Sequence, residues 1–340
     1  MTLTAAVIGA SGYAGGELIR LLDAHPAFDL VWMGAHSRAG APLGEVHPHL
    51  SEGDRRLSST TVENIPSVDA AFLALPHGAS YELGHELAER GTAVFDLGSD
   101  YRFDTQERYE NAYGAPHPAP ERLGEWRYGL PELFSLEGAR RVALPGCYPT
   151  AVMLASVPLL AGGLTSGPVV ADCLSGVSGA GRSVRSDLMF GQVAEGAQAY
   201  KVAAHRHRPE IEMGMEMAGV AVRVTFTPHL LPIQRGLLAT VTMPAADPPG
   251  DREDLLGMLG KAYEGRRLVD VVDHPPQTRW VAGSNRALVT AFFDSHTGMV
   301  IAQAALDNLL KGAAGQAVQA ANLVFGLEEA TGLDTTGWMP

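Results

Sequence analysis

The chain has 340 residues, 46% of them hydrophobic and 19% charged, which is enough for two domains and a sizeable core and too apolar for a disordered protein. A net charge of −13 argues against a general nucleic-acid binder, and no apolar run approaches the ~20 residues that cross a bilayer. The two cysteines, Cys147 and Cys173, give neither a disulfide framework nor zinc-ligand spacing, and with no basic leader before the first strand they point to a reducing cytoplasm.

Leu3 to Ile8 reads as a buried parallel strand. Gly9-Ala10-Ser11-Gly12-Tyr13-Ala14-Gly15 follows, and then a helix over Glu17 to His25 with Leu18, Leu21 and Leu22 on one face. Strand, glycine turn and helix in that order are the setting in which glycines let the backbone approach a pyrophosphate at a helix N-terminus. Gly9, Ser11, Gly12, Tyr13, Ala14 and Gly15 are therefore candidate cofactor contacts; the alternative is a glycine turn with no ligand. The second strand, Phe28 to Ala35, ends in His36-Ser37-Arg38 rather than in an acid. An acid there would bind a ribose 2′-hydroxyl, whereas Ser37 and Arg38 suit a 2′-phosphate, so NADP(H) is favoured over NAD. A solvated surface arginine is the plainer reading of Arg38.

Val68 to Leu75 and Ala93 to Leu97 read as further strands, with a helix over Ala79 to Arg90 between them. Ligands in open α/β sheets bind beyond the carboxyl ends of strands. His77, just after the first of these strands, reads as a ligand contact or as a satisfied turn histidine. Arg102, after the second, is placed to meet an anion. Tyr109 to Pro131 reads as an irregular loop, and Arg140 to Leu144 as the last strand of this half. That strand leads into Leu144-Pro145-Gly146-Cys147-Tyr148-Pro149-Thr150 and a helix over Ala151 to Leu160. A thiol at a strand–turn–helix junction meets unpaired N–H groups and the positive end of the helix dipole, which favour a thiolate nucleophile. A buried structural cysteine is the alternative, and it is the reading that suits Cys173, inside the apolar run 169–174.

The second half opens with a strand, Pro168 to Leu174, and the loop Ser175-Gly176-Val177-Ser178-Gly179-Ala180-Gly181-Arg182. Backbone N–H groups of such a loop bind an oxyanion or a carboxamide, unless it is a plain linker. Gln198 to Ile211 contains His205, Arg206, His207 and Arg208, with Pro209 suited to the first turn of a helix over Glu210 to Met217. A histidine here is a natural general acid/base. His-x-His is also a metal pattern, but Glu210 is the only further ligand nearby, so no metal is assigned. Val220 to Phe226, Gly236 to Met243, Leu268 to Val272, Ala287 to Phe293 and Met299 to Ala305 read as strands of a mixed or antiparallel sheet, with a helix over Asp251 to Tyr263. Thr227 to Arg235 reads as the connection between the first two. Near the end, Lys311 with Gly312 and Gly315 forms a further candidate anion-binding turn before a helix over Ala317 to Phe325, from which Asn322 projects toward a cofactor or toward solvent.

GASGYAG, PGCYPT, SGVSGAGR, HRHRPEI and DNLLKGAAGQAVQ occur in this order, and together the chain resembles the N-acetyl-gamma-glutamyl-phosphate reductases of arginine biosynthesis from about Leu3 to Gly326. The resemblance implies an α/β fold: a Rossmann domain over residues 1–146, a second α+β domain of the semialdehyde/glyceraldehyde-phosphate dehydrogenase type over 147–310, and a C-terminal helix over 311–340 returning to the first. It implies NADP(H), an acyl-phosphate substrate, a homodimer or homotetramer, Cys147 as nucleophile and His205, or His207, as acid/base. Ser178, Gly179 and Asn322 join the expected cofactor contacts, and Ser175, Arg102, Arg182, Arg206 and Arg235 the expected substrate contacts. Two relatives fit less well. Aspartate-semialdehyde dehydrogenases place a histidine after a glycine in an RxxGH-like motif, where Arg235-Gly236-Leu237 has none, and a lysine-pathway reductase resembles AGCNAT rather than PGCYPT. A non-enzymatic NADP-binding protein on the same fold is the remote alternative, and retention of Cys147 with His205 speaks against it.

Overall fold

The computed structural model describes residues 2–50, 53–246 and 251–339. In chain order the elements are β1 (Leu3–Ile8), α1 (Tyr13–Asp23), β2 (Phe28–Ala35), α2 (Leu43–Val46), β3 (Ser58–Ser59), β4 (Ala70–Leu73), α3 (Tyr81–Glu89), β5 (Ala93–Asp96), α4 (Gln106–Tyr113), β6 (Arg127–Tyr128) and β7 (Arg141–Ala143). They continue as α5 (Cys147–Ala161), β8 (Val169–Gly176), α6 (Phe190–Val193), β9 (Gln198–Ala199), α7 (His207–Met217), β10 (Val224–Leu231) and β11 (Leu237–Pro244). The last are α8 (Arg252–Ala262), β12 (Val269–Val271), α9 (Thr278–Val281), β13 (Ala287–Asp294), β14 (Met299–Leu306) and α10 (Gly315–Val324). Among the described residues no helix is long and apolar enough to cross a membrane.

The chain divides into two compact units. The first comprises Met1–Tyr109, Pro116–Pro145 and Ala313–Leu333; the second comprises Glu110–Ala115, Gly146–Gly312 and Asp334–Pro340. The final segment expected with the first domain is thus split, since the residues from Asp334 onward belong to the second unit.

The first unit is built on a seven-stranded sheet of order β3-β2-β1-β4-β5-β7-β6, parallel throughout. Its central strands are buried on both faces, as the continuous apolar runs of β1, β4 and β5 require. Strand order reverses between β1 and β4, which opens the switch-point crevice at their carboxyl ends. Helix α10 packs on α1 and β5 within this unit. The second unit holds a seven-stranded mixed sheet of order β12-β13-β14-β11-β8-β10-β9, with helices α5, α7 and α8 packed against its strands.

Several elements depart from expectation. Helix α1 begins at Tyr13 rather than Glu17, so Ala14 and Gly15 lie in its first turn. Residues 109–131 are not one irregular loop: they hold the end of α4, a 3₁₀ helix at Pro120–Glu125, and β6. Strand β10 runs through Pro228 to Leu231, where a loop was expected. Proline is tolerated because β9, on that side, pairs only with His229 and Leu230.

Helix α5 begins at Cys147, four residues earlier than its apolar run suggests. Pro149 falls in its first turn, where the missing N–H has no partner to lose. Pro158 lies inside it and cannot bond the Leu154 carbonyl. The Tyr263 hydroxyl donates to that carbonyl at 2.6 Å instead.

Candidate active site

In the first unit, Gly9 leaves β1 with φ +88°, and a Cβ there would lie 2.3 Å from the Ala74 carbonyl oxygen. A Cβ on Gly15 would lie 2.2 Å from the Gly9 carbonyl oxygen. Only glycine fits either position, and the tight turn sets the start of α1 at the switch point. Gly12 is the N-cap of α1 and no side chain caps it, so the first-turn amides face outward as an anion site. Tyr13 is exposed, Ser11, Gly12 and Ala14 are half-buried, and Ser37 and Arg38 are exposed just past the end of β2. These residues fit a dinucleotide with a 2′-phosphate.

Two expected contacts of the first unit have partners within the protein. Asn322 has no exposed surface: its Oδ1 meets His25 Nε2 at 3.0 Å and its Nδ2 donates to the Glu329 and Thr331 carbonyls. It ties α10 to His25, just past α1, and to the chain end, and has no surface open to solvent. Arg102 is buried and donates to the Leu97 carbonyl at 2.9 Å, within its own turn.

In the second unit, Cys147 is the first residue of α5, partly exposed, with Gly146 as N-cap. Backbone N–H groups of that first turn have no intrahelical partner and favour negative charge at the thiol. The buried Glu210, on α7, accepts the Gly146 N–H at 2.8 Å, and Thr150 Oγ1 donates to the Gly146 carbonyl at 3.0 Å. A Cβ on Gly312 would lie 2.7 Å from Cys147 Cβ, so the glycine in this turn makes room for the nucleophile's backbone. Cys173 is fully buried in β8, and desolvation raises its thiol well above the usual range.

His205 and His207 are both buried beside Tyr148, the residue after Cys147, with ring centroids 5.8 Å from it in each case. Tyr200 and Phe226 complete an aromatic box around His205. Burial, with Lys201 and Arg206 nearby, lowers the His205 pKa to about 4, so the ring is neutral at neutral pH. His205 Nδ1 accepts the His207 backbone N–H at 3.1 Å, which assigns the ring proton to Nε2. The Tyr148 hydroxyl meets Tyr200 at 3.0 Å and also faces Ser175, and burial raises both phenols, Tyr200 to about 12.

The remaining predicted contacts separate into groups. Ser175 is buried at the end of β8 beside Tyr148. Ser178 accepts from Asn308 Nδ2 at 3.0 Å, and Asn308 Oδ1 accepts the Gly236 N–H at 2.8 Å, which ties this loop to β11. Gly179, Arg182 and Arg206 are exposed.

Arg235 does not stand free for a substrate. Its Nη1 lies 3.5 Å from the buried Asp307 carboxylate and its guanidinium sits over the Trp338 ring. Asp307 also accepts from the amides of Leu309, Leu310 and Gly283. The expected anion-binding turn at Lys311 is a π-helical turn, Leu310–Ala314, with Lys311 fully buried. The anion at this turn is Asp307 itself. Glu210, Tyr148 and Tyr200 were not singled out from sequence as site residues, although Glu210 lies inside the HRHRPEI motif.

A parallel sheet with a glycine cradle in one unit, and a mixed sheet with a thiol at a helix start in the other, define an enzyme of the semialdehyde dehydrogenase class. Residues 4–139 match the family described as "Semialdehyde dehydrogenase, NAD binding domain", and residues 147–308 match "Semialdehyde dehydrogenase, dimerisation domain". Curated relatives include the N-acetyl-gamma-glutamyl-phosphate reductases of Arthrobacter sp. (strain FB24), 45% identical with all of both chains covered, and of Heliobacterium modesticaldum, 42% identical with 99% of this chain and 100% of the relative covered. The chain belongs to the N-acetyl-gamma-glutamyl-phosphate reductase family. Solved structures of like fold include aspartate semialdehyde dehydrogenase II from Vibrio cholerae complexed with ASA (TM-score 0.70, 18% identity, 95% of this chain and 98% of that one). Aspartate semialdehyde dehydrogenase with NADP from Candida albicans is another (TM-score 0.67, 16% identity, with the same coverage).

Proposed function

We propose that the protein reduces N-acetyl-L-glutamyl 5-phosphate to N-acetyl-L-glutamate 5-semialdehyde and phosphate, using NADPH. The observation that carries this reading is Cys147 at the first position of α5, with Tyr148 beside it packed on both histidines. Cys147 Sγ attacks the acyl carbon and phosphate departs, leaving a thioester; one hard step becomes two easier ones. NADPH, when bound, supplies the hydride that this acyl carbon needs; Gly9, Gly12, Gly15, Ser37 and Arg38 would hold it. The Nε2–H of neutral His205 donates a hydrogen bond to the oxygen that gains charge, first-turn amides of α5 add their dipole, and collapse of that tetrahedral oxyanion breaks the C–S bond, releasing the semialdehyde and returning Cys147 as thiolate. The exposed Arg182 and Arg206 are the cations offered to the anionic substrate.

The match to a dimerisation domain supports a homo-oligomer, which we read as a homodimer or homotetramer, in the cytoplasm. The test is the reverse reaction with NADP, phosphate and the semialdehydes of N-acetylglutamate, aspartate and aminoadipate. Preference for the first is expected; preference for another overturns the substrate assignment. Cys147→Ser should bind NADPH and fail to form the acyl-enzyme, so near-normal turnover in that variant would reject the mechanism.

A further inference from the structure

The loops that follow β4 and β5 in the first unit meet around two buried carboxylates. Ser80 Oγ lies 2.8 Å from Asp96 Oδ2 and 2.9 Å from Asp100 Oδ2. A serine hydroxyl carries one proton, so it donates to only one of two such acceptors at full strength. The other contact needs a proton of its own. Asp100 accepts the backbone N–H groups of Gly78, Ser80 and Tyr81 and lies 3.2 Å from His77 Nδ1. Asp96 accepts one backbone N–H, from Gly98, and has no exposed surface. The donors therefore collect on Asp100, which belongs to the ionised partner.

We propose that Asp96 is a neutral carboxylic acid that donates its proton to Ser80 Oγ, so that an Asp96–Ser80–Asp100–His77 chain with one shared negative charge locks the two loops at the carboxyl edge of the sheet. The electrostatics agree. Burial and the Asp100 charge push Asp96 up to about 7, while its donors hold Asp100 at about 2. The charged or titratable groups facing the pair are Arg102, Tyr101, His77 and His117. Helix α10, packed on β5, carries no charged side chain, and Arg141 on β7 is paired with Glu89 and Glu125. Ionising Asp96 places two like charges on one hydroxyl with no new cation to answer them. Asp96 is a positioning residue: it acts on the loops, and through them on His77, which Ser99 Oγ also holds at 2.8 Å. The consequence for cofactor affinity rests on the NADPH reading above.

The experiment is a side-chain carboxyl NMR titration of the protein labelled with 13C-aspartate. One buried carboxyl is expected to titrate near neutrality in the wild type and to vanish in Asp96→Asn, whose amide donates to Ser80 as the acid does. Wild-type stability should fall relative to Asp96→Asn as pH rises from 4 to above 7, because the native state there retains a proton that the unfolded chain has lost. NADPH affinity should weaken a few-fold from pH 6.5 to 8.5 in the wild type and stay flat in the variant. If every aspartate carboxyl shows the 13C shift of the ionised form by pH 5, both carboxylates are ionised and the proposal fails; the wild-type spectrum alone decides this and needs no variant. A titrating Asp96 in a protein that binds no NADPH at any pH would instead sink the cofactor assignment.

Discussion

The Glu210 carboxylate accepts the Gly146 backbone N–H at 2.8 Å, so the first turn of α7 holds the N-cap of the helix that starts at Cys147. The histidine segment and the thiol are thus fixed to each other through backbone, within one unit. Glu210→Ala strands a buried donor and should cost on the order of 2 kcal/mol. It should also lower kcat more than tenfold, because the cysteine turn loses its anchor. Glu210→Gln keeps an acceptor and should lie between. Denaturant melts and the rate of Cys147 alkylation by iodoacetamide check both, and an unchanged alkylation rate in the alanine variant would contradict the anchoring role.

Gly312→Ala places a methyl group 2.7 Å from Cys147 Cβ. Something must shift, and overpacking of this kind costs roughly 1–3 kcal/mol. Because the atom displaced belongs to the nucleophile, activity should fall further than stability does. Parallel measurement of Tm and kcat would show this, and equal loss in both would mean that the shift is absorbed elsewhere.

The pH dependence of stability carries a signature of His205. Its folded pKa, about 4, lies below the ordinary 6.5, so between these values the unfolded chain binds a proton that the native state lacks. Its contribution is fully present above pH 6.5 and is lost as pH falls through about 4, for a total on the order of 3 kcal/mol. His205→Gln removes the titrating ring. Urea melts from pH 7 to 4 should give a shallower decline for the variant, and parallel profiles would place the acid lability in other groups.

Tyr263→Phe removes the donor from the Leu154 carbonyl that Pro158 cannot reach. A loss of roughly 1–3 kcal/mol is expected. In a Pro158→Ala background the helix can supply its own N–H, so the same tyrosine change should cost much less. A double-mutant cycle measures that coupling, and strict additivity would show that the two residues do not compensate each other.

Periodicity and punctuation made most strands legible, β1 and β2 to the residue, because a buried parallel strand is a short apolar run bounded by turns. Helix starts were less legible. At Tyr13 and at Cys147 the first turn is written in glycine and proline, which read as loop, yet a first turn forgives both. Cys147, the two histidines and the glycine cradle were visible as motifs. Arg235 and Asn322 were not separable from ligand contacts, since the groups that satisfy them, Asp307, Trp338, His25 and the chain end, are brought near only by folding. Glu210 is weighed from sequence only as a metal ligand; its anchoring role is not legible because its partner is a backbone amide 64 residues away, which leaves no trace in the sequence around it.

Helix α10 packs on α1 and β5, yet it is made from residues 315–324, after the whole of the mixed sheet. Ribosomal synthesis therefore delivers the nucleotide-type sheet before the mixed sheet and withholds its covering helix until the mixed sheet has been made. The nascent N-terminal region waits with one flank bare while the larger insert matures, and a stop codon anywhere between Ala313 and Leu333 deprives the part of the chain that was made first.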